Sequence, residues 1–152
     1  MIITMCFHLT GCAGTGEEAS IEKIGTCTMF IECATIFDHM NLLDASIKDY
    51  LPKNGIVMEK KTVDFGKGDS VYDLLERELK KEKILMEASF TGKSAYIEGI
   101  DNIYEFSCGE LSGWMYSVNG EYPGVSCSDY KVKDQDVIEW HYTCELGKDL
   151  KE

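Results

Sequence analysis

Positive charge is the first thing this sequence is short of. Its 15 lysine and arginine residues face 27 acidic ones, for a net charge of -12 at pH 7. A nucleic-acid partner is excluded on that ground, because such affinity comes from neutralising phosphates with lysine and arginine. Direct docking on anionic lipid is equally disfavoured. No apolar run approaches the roughly 18 residues needed to cross a bilayer as a helix. No CxxC pair occurs, which weakens a zinc or thioredoxin-type reading of the cysteines. Only His39 and His141 follow residue 12, and no serine or cysteine stands in a nucleophile motif. The chain is therefore not expected to be an enzyme, and no catalytic residue is assigned. Asp101, Asp134, Asp136, Glu139 and His141 offer donor atoms without calcium-loop spacing. They are read as a solvated acidic surface, and neither a metal site nor a cofactor is assigned.

What the sequence has begins at Leu9-Thr10-Gly11-Cys12. An apolar residue, two small ones and a cysteine have the form of a lipobox. The preceding residues Ile2, Ile3, Met5 and Phe7 make an apolar stretch of the kind found in a secretory signal. Residues 1–11 are therefore read as a lipoprotein signal peptide, and Cys12 as the lipidated new N-terminus. Residues 12–25 are small and polar (Ala-Gly-Thr-Gly-Glu-Glu-Ala-Ser), which suits a tether. The expected location is the extracellular face of the cell membrane, held through two acyl chains. Residues 26–150 then form one domain, long enough for a single hydrophobic core.

The domain reads in order as strand 26–36, a short helix or ordered insertion 38–50, a turn at Pro52 and Asn54-Gly55, and strand 60–65. A helix follows, with Ser70 as N-cap and Asp73 three residues on, close to a capping box. Val71, Leu74, Leu75 and Leu79 give it one apolar face, and Lys80, Lys81 and Lys83 close its end. Strands are expected at 84–90, 94–97, 103–106 and 114–118, the last followed by an Asn119-Gly120 turn of type I′. Strands 129–132 and 137–143 end the domain. This order predicts an α+β fold, a β-grasp-like mixed sheet packed on one main helix.

The stretches Gly113-Trp-Met-Tyr-Ser-Val-Asn-Gly120, Tyr122-Pro123 and Tyr130-Lys-Val-Lys-Asp-Gln-Asp-Val-Ile-Glu-Trp140 resemble the transcobalamin-like C-terminal domain family. Ser94-Ala-Tyr-Ile-Glu-Gly99 and Cys108-Gly-Glu-Leu-Ser-Gly-Trp114 fit as well. The resemblance runs from about Cys27 to Leu150. It implies the module that closes over cobalamin in its carriers, with free-standing copies in bacterial lipoproteins. Cobalamin or a related corrinoid is then an expected ligand. In those carriers loops at the sheet edge face the corrin, so Tyr122, Pro123, Gly124 and Val125 are the expected contacts. Trp114, Tyr116, Trp140 and Tyr142 are expected to fill the core instead. The expected partners are a small soluble ligand or a surface protein, the latter in an alternative structural or adhesive role by strand addition.

Two departures from the family's pattern stand out. Gln135-Asp136 occupies the last turn where members often have Gly-Asp, which costs about 1 kcal/mol if Gln135 takes a positive φ. Leu79 stands where bacterial members often carry a helix cysteine. Beyond residue 12 the cysteines are Cys27, Cys33, Cys108, Cys127 and Cys144. In an oxidising compartment five cysteines suggest two bridges and one thiol. Cys27 and Cys33 would lie about 20 Å apart on one strand and cannot pair. The β-grasp topology suggests Cys108 with Cys127, which flank the Trp114 hairpin. It also suggests Cys33 with Cys144, near the ends of adjacent parallel strands, leaving Cys27 free.

Overall fold

A computed structural model describes residues 22–150. The expected signal peptide, Cys12 and most of the tether lie outside them. Among the described residues the chain runs through β1 (Lys23–Glu32), β2 (Ile56–Gly66), α1 (Val71–Glu82), β3 (Met86–Thr91), β4 (Ser94–Ile100), β5 (Ile103–Tyr104), β6 (Gly113–Val118) and β7 (Val137–Thr143). The fold is α+β, as the element order predicts. The main sheet has the order β2-β1-β7-β6, and a smaller sheet has the order β3-β4-β5. β1 and β7, first and last in the chain, pair in parallel from Thr28↔Val137 to Glu32↔His141. β2 and β6 flank them antiparallel, so the main sheet is mixed.

Alternation decides which face is buried. Cys27, Met29 and Ile31 of β1 are buried, as are Ile138, Trp140 and Tyr142 of β7. The register sets Met29 beside Ile138 and Ile31 beside Trp140, so these side chains share one face. Val71, Leu74, Leu75 and Leu79 of α1 join the same core. Burying each leucine stabilises the fold by about 1.5–3 kcal/mol relative to exposure. The alternate residues Glu32, Glu139 and His141 stay partly exposed on the other face.

The helix begins as its sequence indicates. Ser70 Oγ accepts from the Asp73 N–H, and the Asp73 carboxylate accepts from the Ser70 N–H at 2.8 Å. Its end differs from a glycine cap: Lys83 itself turns left-handed at φ 59 and closes the last turn. Glu78, almost fully buried, receives Lys81 at 2.6 Å and Lys61 at 3.0 Å.

Three differences from expectation have local reasons. β1 starts at Lys23, inside the expected tether, because Lys23 pairs with Gly66 and meets Asp64 at 2.7 Å. Gly25 allows this start, since a Cβ there would stand 2.8 Å from both Asp134 Oδ1 and the Phe65 ring. β1 also stops at Glu32, and the chain turns into two 3-10 helices, Ala34–His39 and Ala45–Tyr50. Residues 129–132 form no strand. Their backbone serves α1 instead: Val71 N–H donates to the Tyr130 carbonyl at 3.2 Å, and Val132 N–H donates to the Asp69 carbonyl at 3.0 Å. A helix's first N–H groups lack intrahelical acceptors, and this segment supplies one. Gln135 does take a positive φ, 68°, with its N–H donating to the Thr26 carbonyl at 2.8 Å.

Candidate functional site

The site is built around the end of β6. Asn119 and Gly120 have φ of 55° and 80°, both positive as a type I′ turn requires. The Val118 N–H donates to the Glu121 carbonyl, closing the turn at 2.8 Å. The chain then crosses to the smaller sheet, where two serines fasten it to the stretch of β4 that β5 leaves unpaired. Ser126 Oγ donates to the Ala95 carbonyl at 2.7 Å, and Ser128 Oγ accepts from the Ala95 N–H at 2.9 Å. Tyr116 hydroxyl donates to the Val125 carbonyl at 2.9 Å and holds the middle. Between these fastenings the loop stands out: Tyr122 is 40% and Val125 52% exposed.

Under this loop lies an open pocket of about 220 Å³. Ala95, Tyr96 and Ile97 form one wall, and Trp114, Met115 and Tyr116 another. Tyr122, Pro123 and Val125 hang over it, with Cys127 and Trp140 deeper. The aromatic rings are fixed by their neighbours. Tyr116 and Trp140 stack at 5.3 Å between centroids, and Trp114 meets Tyr142 edge-on at 5.3 Å. Trp114 Nε1–H donates to the Ile103 carbonyl at 2.8 Å. Trp140 Nε1 is buried and has no hydrogen-bond partner among the described residues. Leaving a buried donor unmet costs about 1–3 kcal/mol. Burial, and then the carboxylate of Glu105, push the Tyr96 hydroxyl up to about 12, so it stays a neutral donor at physiological pH.

Tyr122, Pro123 and Val125 therefore come together at one pocket, whereas Gly124 is not part of its lining. Trp114, Trp140 and Tyr142 are buried as core residues, and Tyr116 is half-buried. The β4 wall and the indole of Trp140 were not legible as site features. β4 belongs to the other sheet, and the serine side chains that bring it to β6 leave no periodic signal.

On the opposite side of Tyr122 a polar hollow of about 790 Å³ is lined by Glu32, Glu139, His141 and Asp149 among others. The Tyr122 and His141 rings lie 6.4 Å apart, and His141 Nδ1 sits 2.8 Å from Glu32. The residues expected to form a solvated acidic surface instead have local duties, and Asp136 is buried. Asp134 accepts from the Thr26 N–H at 2.9 Å. Asp136 is buried and accepts from Asn119 Nδ2 at 2.9 Å and the Lys133 N–H at 3.0 Å. Glu139 meets Lys60 at 3.1 Å, and burial raises the Asp101 carboxyl.

Cys27, Cys33, Cys108, Cys127 and Cys144 are all buried thiols in this structure. Neither Cys108–Cys127 nor Cys33–Cys144 is bonded in this structure, and the Cys108 thiol points at the His39 carbonyl at 3.5 Å. Burial pushes Cys27 and Cys127 up to about 11 and Cys33 up to about 12, which makes them poor nucleophiles.

The fold is transcobalamin-like. The structure of haptocorrin in complex with Cbi superposes with a TM-score of 0.57 at 11% identity, over 90% of this chain. This chain spans only 29% of the haptocorrin chain. A candidate metal binding protein from Ruminococcus gnavus ATCC 29149 aligns at a TM-score of 0.46 and 14% identity, over 79% of this chain and 97% of that one. By sequence, the chain belongs to the family described as Domain of unknown function (DUF4430), matched over residues 68–144. No curated protein matches it by sequence.

Proposed function

We propose that this domain binds a small soluble ligand in the pocket beside β6, as a module tethered outside the cell through Cys12. The observation that carries this reading is the open pocket under the Tyr122 loop, whose aromatic walls (Trp114, Tyr116, Trp140) carry a few polar groups such as Ser126. Ligand sites combine apolar walls with a few convergent polar groups in this way. The pocket's 220 Å³ falls below the ~300–1,000 Å³ typical of sites that enclose a ligand. It grips part of a ligand and leaves the remainder to solvent or a partner. Cobalamin or a related corrinoid is the first candidate, and the likeness of fold to haptocorrin in complex with Cbi supports trying it.

Calorimetric titration with cyanocobalamin and its biosynthetic intermediates tests the reading. Saturable binding that weakens in Tyr122→Ala is expected. Absence of heat up to millimolar ligand rejects a corrinoid. The tether is tested apart: Cys12→Ala should abolish lipid attachment and leave the domain's melting unchanged.

A structural or adhesive role is the second reading. β3 is an edge strand of the smaller sheet, and Phe90 on it is 54% exposed. An added strand from a surface protein would pair there. Neighbouring genes for corrinoid transport favour the first reading, and genes for sortase or pilin favour the second.

A further inference from the structure

Three segments without strand structure meet at the end of the main sheet. One is the 3-10 helix ending at His39, another the loop of Cys108, and the third the chain after β7. Backbone bonds fix their meeting: the Asp44 N–H donates to the Ser107 carbonyl at 2.8 Å, and the Leu146 N–H to the Leu111 carbonyl at 3.0 Å. One donor atom each from His39, Cys144 and Asp149 lies within 4.8 Å of the other two. His39 Nε2 stands 3.9 Å from Asp149 Oδ2. Beside them, the Cys108 thiol points at the His39 carbonyl, 3.5 Å away.

From this geometry we propose that His39, Cys108, Cys144 and Asp149 form a binding site for a thiolate-seeking divalent cation such as Zn²⁺. A tetrahedral zinc ion with bonds of 2.0–2.3 Å needs donors about 3.3–3.8 Å apart. The spread among His39, Cys144 and Asp149 exceeds this by at most about 1 Å, within reach of small side-chain rotations. The mixed nitrogen, sulfur and oxygen set favours zinc over calcium or magnesium, which take oxygen alone. The carboxylate is already oriented. It accepts from Thr143 Oγ1 and, at 2.7 Å, from the Cys144 N–H. The Cys108 N–H is likewise fixed, on Ser112 Oγ at 3.1 Å. Cys108 and Cys144 are shielded, while Asp149 lines the polar hollow, which gives an ion its way in. Each thiol that binds the ion gives up its proton to the buffer. The ion would tie residues 39, 108 and 144–149 together, so its binding energy would add to folding. None of these four residues lines the aromatic pocket, so this site stands or falls separately from the proposed ligand.

The test uses the whole chain, reduced, with its thiols titrated before metal is added. Zn²⁺ is competed against a chromophoric chelator, and Co²⁺ reports geometry by absorption. One equivalent of zinc with submicromolar affinity is expected, with a thiolate-to-cobalt charge-transfer band and tetrahedral ligand-field bands. Cys144→Ser and the near-isosteric Asp149→Asn should each weaken binding by about tenfold or more. Cys27→Ser, remote from the cluster, should not. Zinc should raise the melting temperature of the native chain but not of Cys144→Ser. Two results overturn the site: no zinc held by fully reduced protein, or equal affinity in both cluster variants. An unchanged cobalt spectrum in Cys108→Ser overturns the second sulfur.

Discussion

The helix side of the main sheet and the rim of loops around β6 and β7 are held together by different means. On the helix side, period-2 strands meet a 3.6-period helix, and apolar burial does most of the work. At the rim, side chains bond to backbone: Ser126 and Ser128 to β4, Ser112 to the Cys108 loop, Asp149 to the turn after β7. The first arrangement is sensitive to changes of side-chain volume. The second depends on single polar atoms, leaves side chains such as Tyr122 exposed, and carries both candidate sites. Function sits where the packing is thin and the hydrogen bonding is specific.

If this contrast is right, the largest effect belongs to the helix side. Leu75→Ala should lower unfolding free energy by about 2–5 kcal/mol in urea, with an unchanged denaturant slope. At the rim, Ser112→Ala should lose about 1–3 kcal/mol. Ser112 Oγ accepts from the Cys108 N–H and from Tyr142 and donates to the Gly109 carbonyl. A loss from Ser112→Ala as large as that from Leu75→Ala would erase the distinction.

Acidification separates the regions by another route. Burial raises the Glu78 carboxyl, but Lys81 and Lys61 outweigh it and hold it below its usual 4.5. A carboxylate depressed in the folded state stabilises the fold above its unfolded pKa, and the gain fades as pH falls through the folded value. The melting temperature should therefore drop on acidification below about 4.5, and Glu78→Gln should flatten that limb. The smallest effect is a gain. Gln135→Gly should stabilise by about 0.5–1 kcal/mol, because Gln135 holds φ at 68°. A loss there would mean that the contacts of the Gln135 side chain outweigh the backbone strain.

The sequence was legible where a period or a cap repeats. The Ser70–Asp73 box, the apolar face of α1 and the Asn119-Gly120 turn are local patterns, and all three are present. The parallel pairing of β1 and β7 followed from element order. Residues 129–132 misled because alternation alone cannot tell a strand from a segment whose backbone caps a helix. The loop of Tyr122 was legible as an exposed turn beside aromatic strands. The pocket beneath it was not, because β4 belongs to the other sheet and the side-chain bonds of Ser126 and Ser128 that fasten the loop to it leave no periodic signal. The convergence of His39, Cys108, Cys144 and Asp149 was equally hidden, since their spacing spans more than a hundred residues and matches no short motif.

The pocket itself can be read directly, because both tryptophans of the chain, Trp114 and Trp140, line it. Tryptophan emission should therefore be followed during corrinoid titration of native protein and Tyr122→Ala, corrected for ligand absorption. Tyr122 is exposed, so its removal should move stability by no more than about 0.5 kcal/mol. A saturable change in the native protein is predicted, with affinity reduced about tenfold or more in Tyr122→Ala at an unchanged melting temperature. Identical titration curves for the two proteins would contradict the assignment of this pocket as the ligand site.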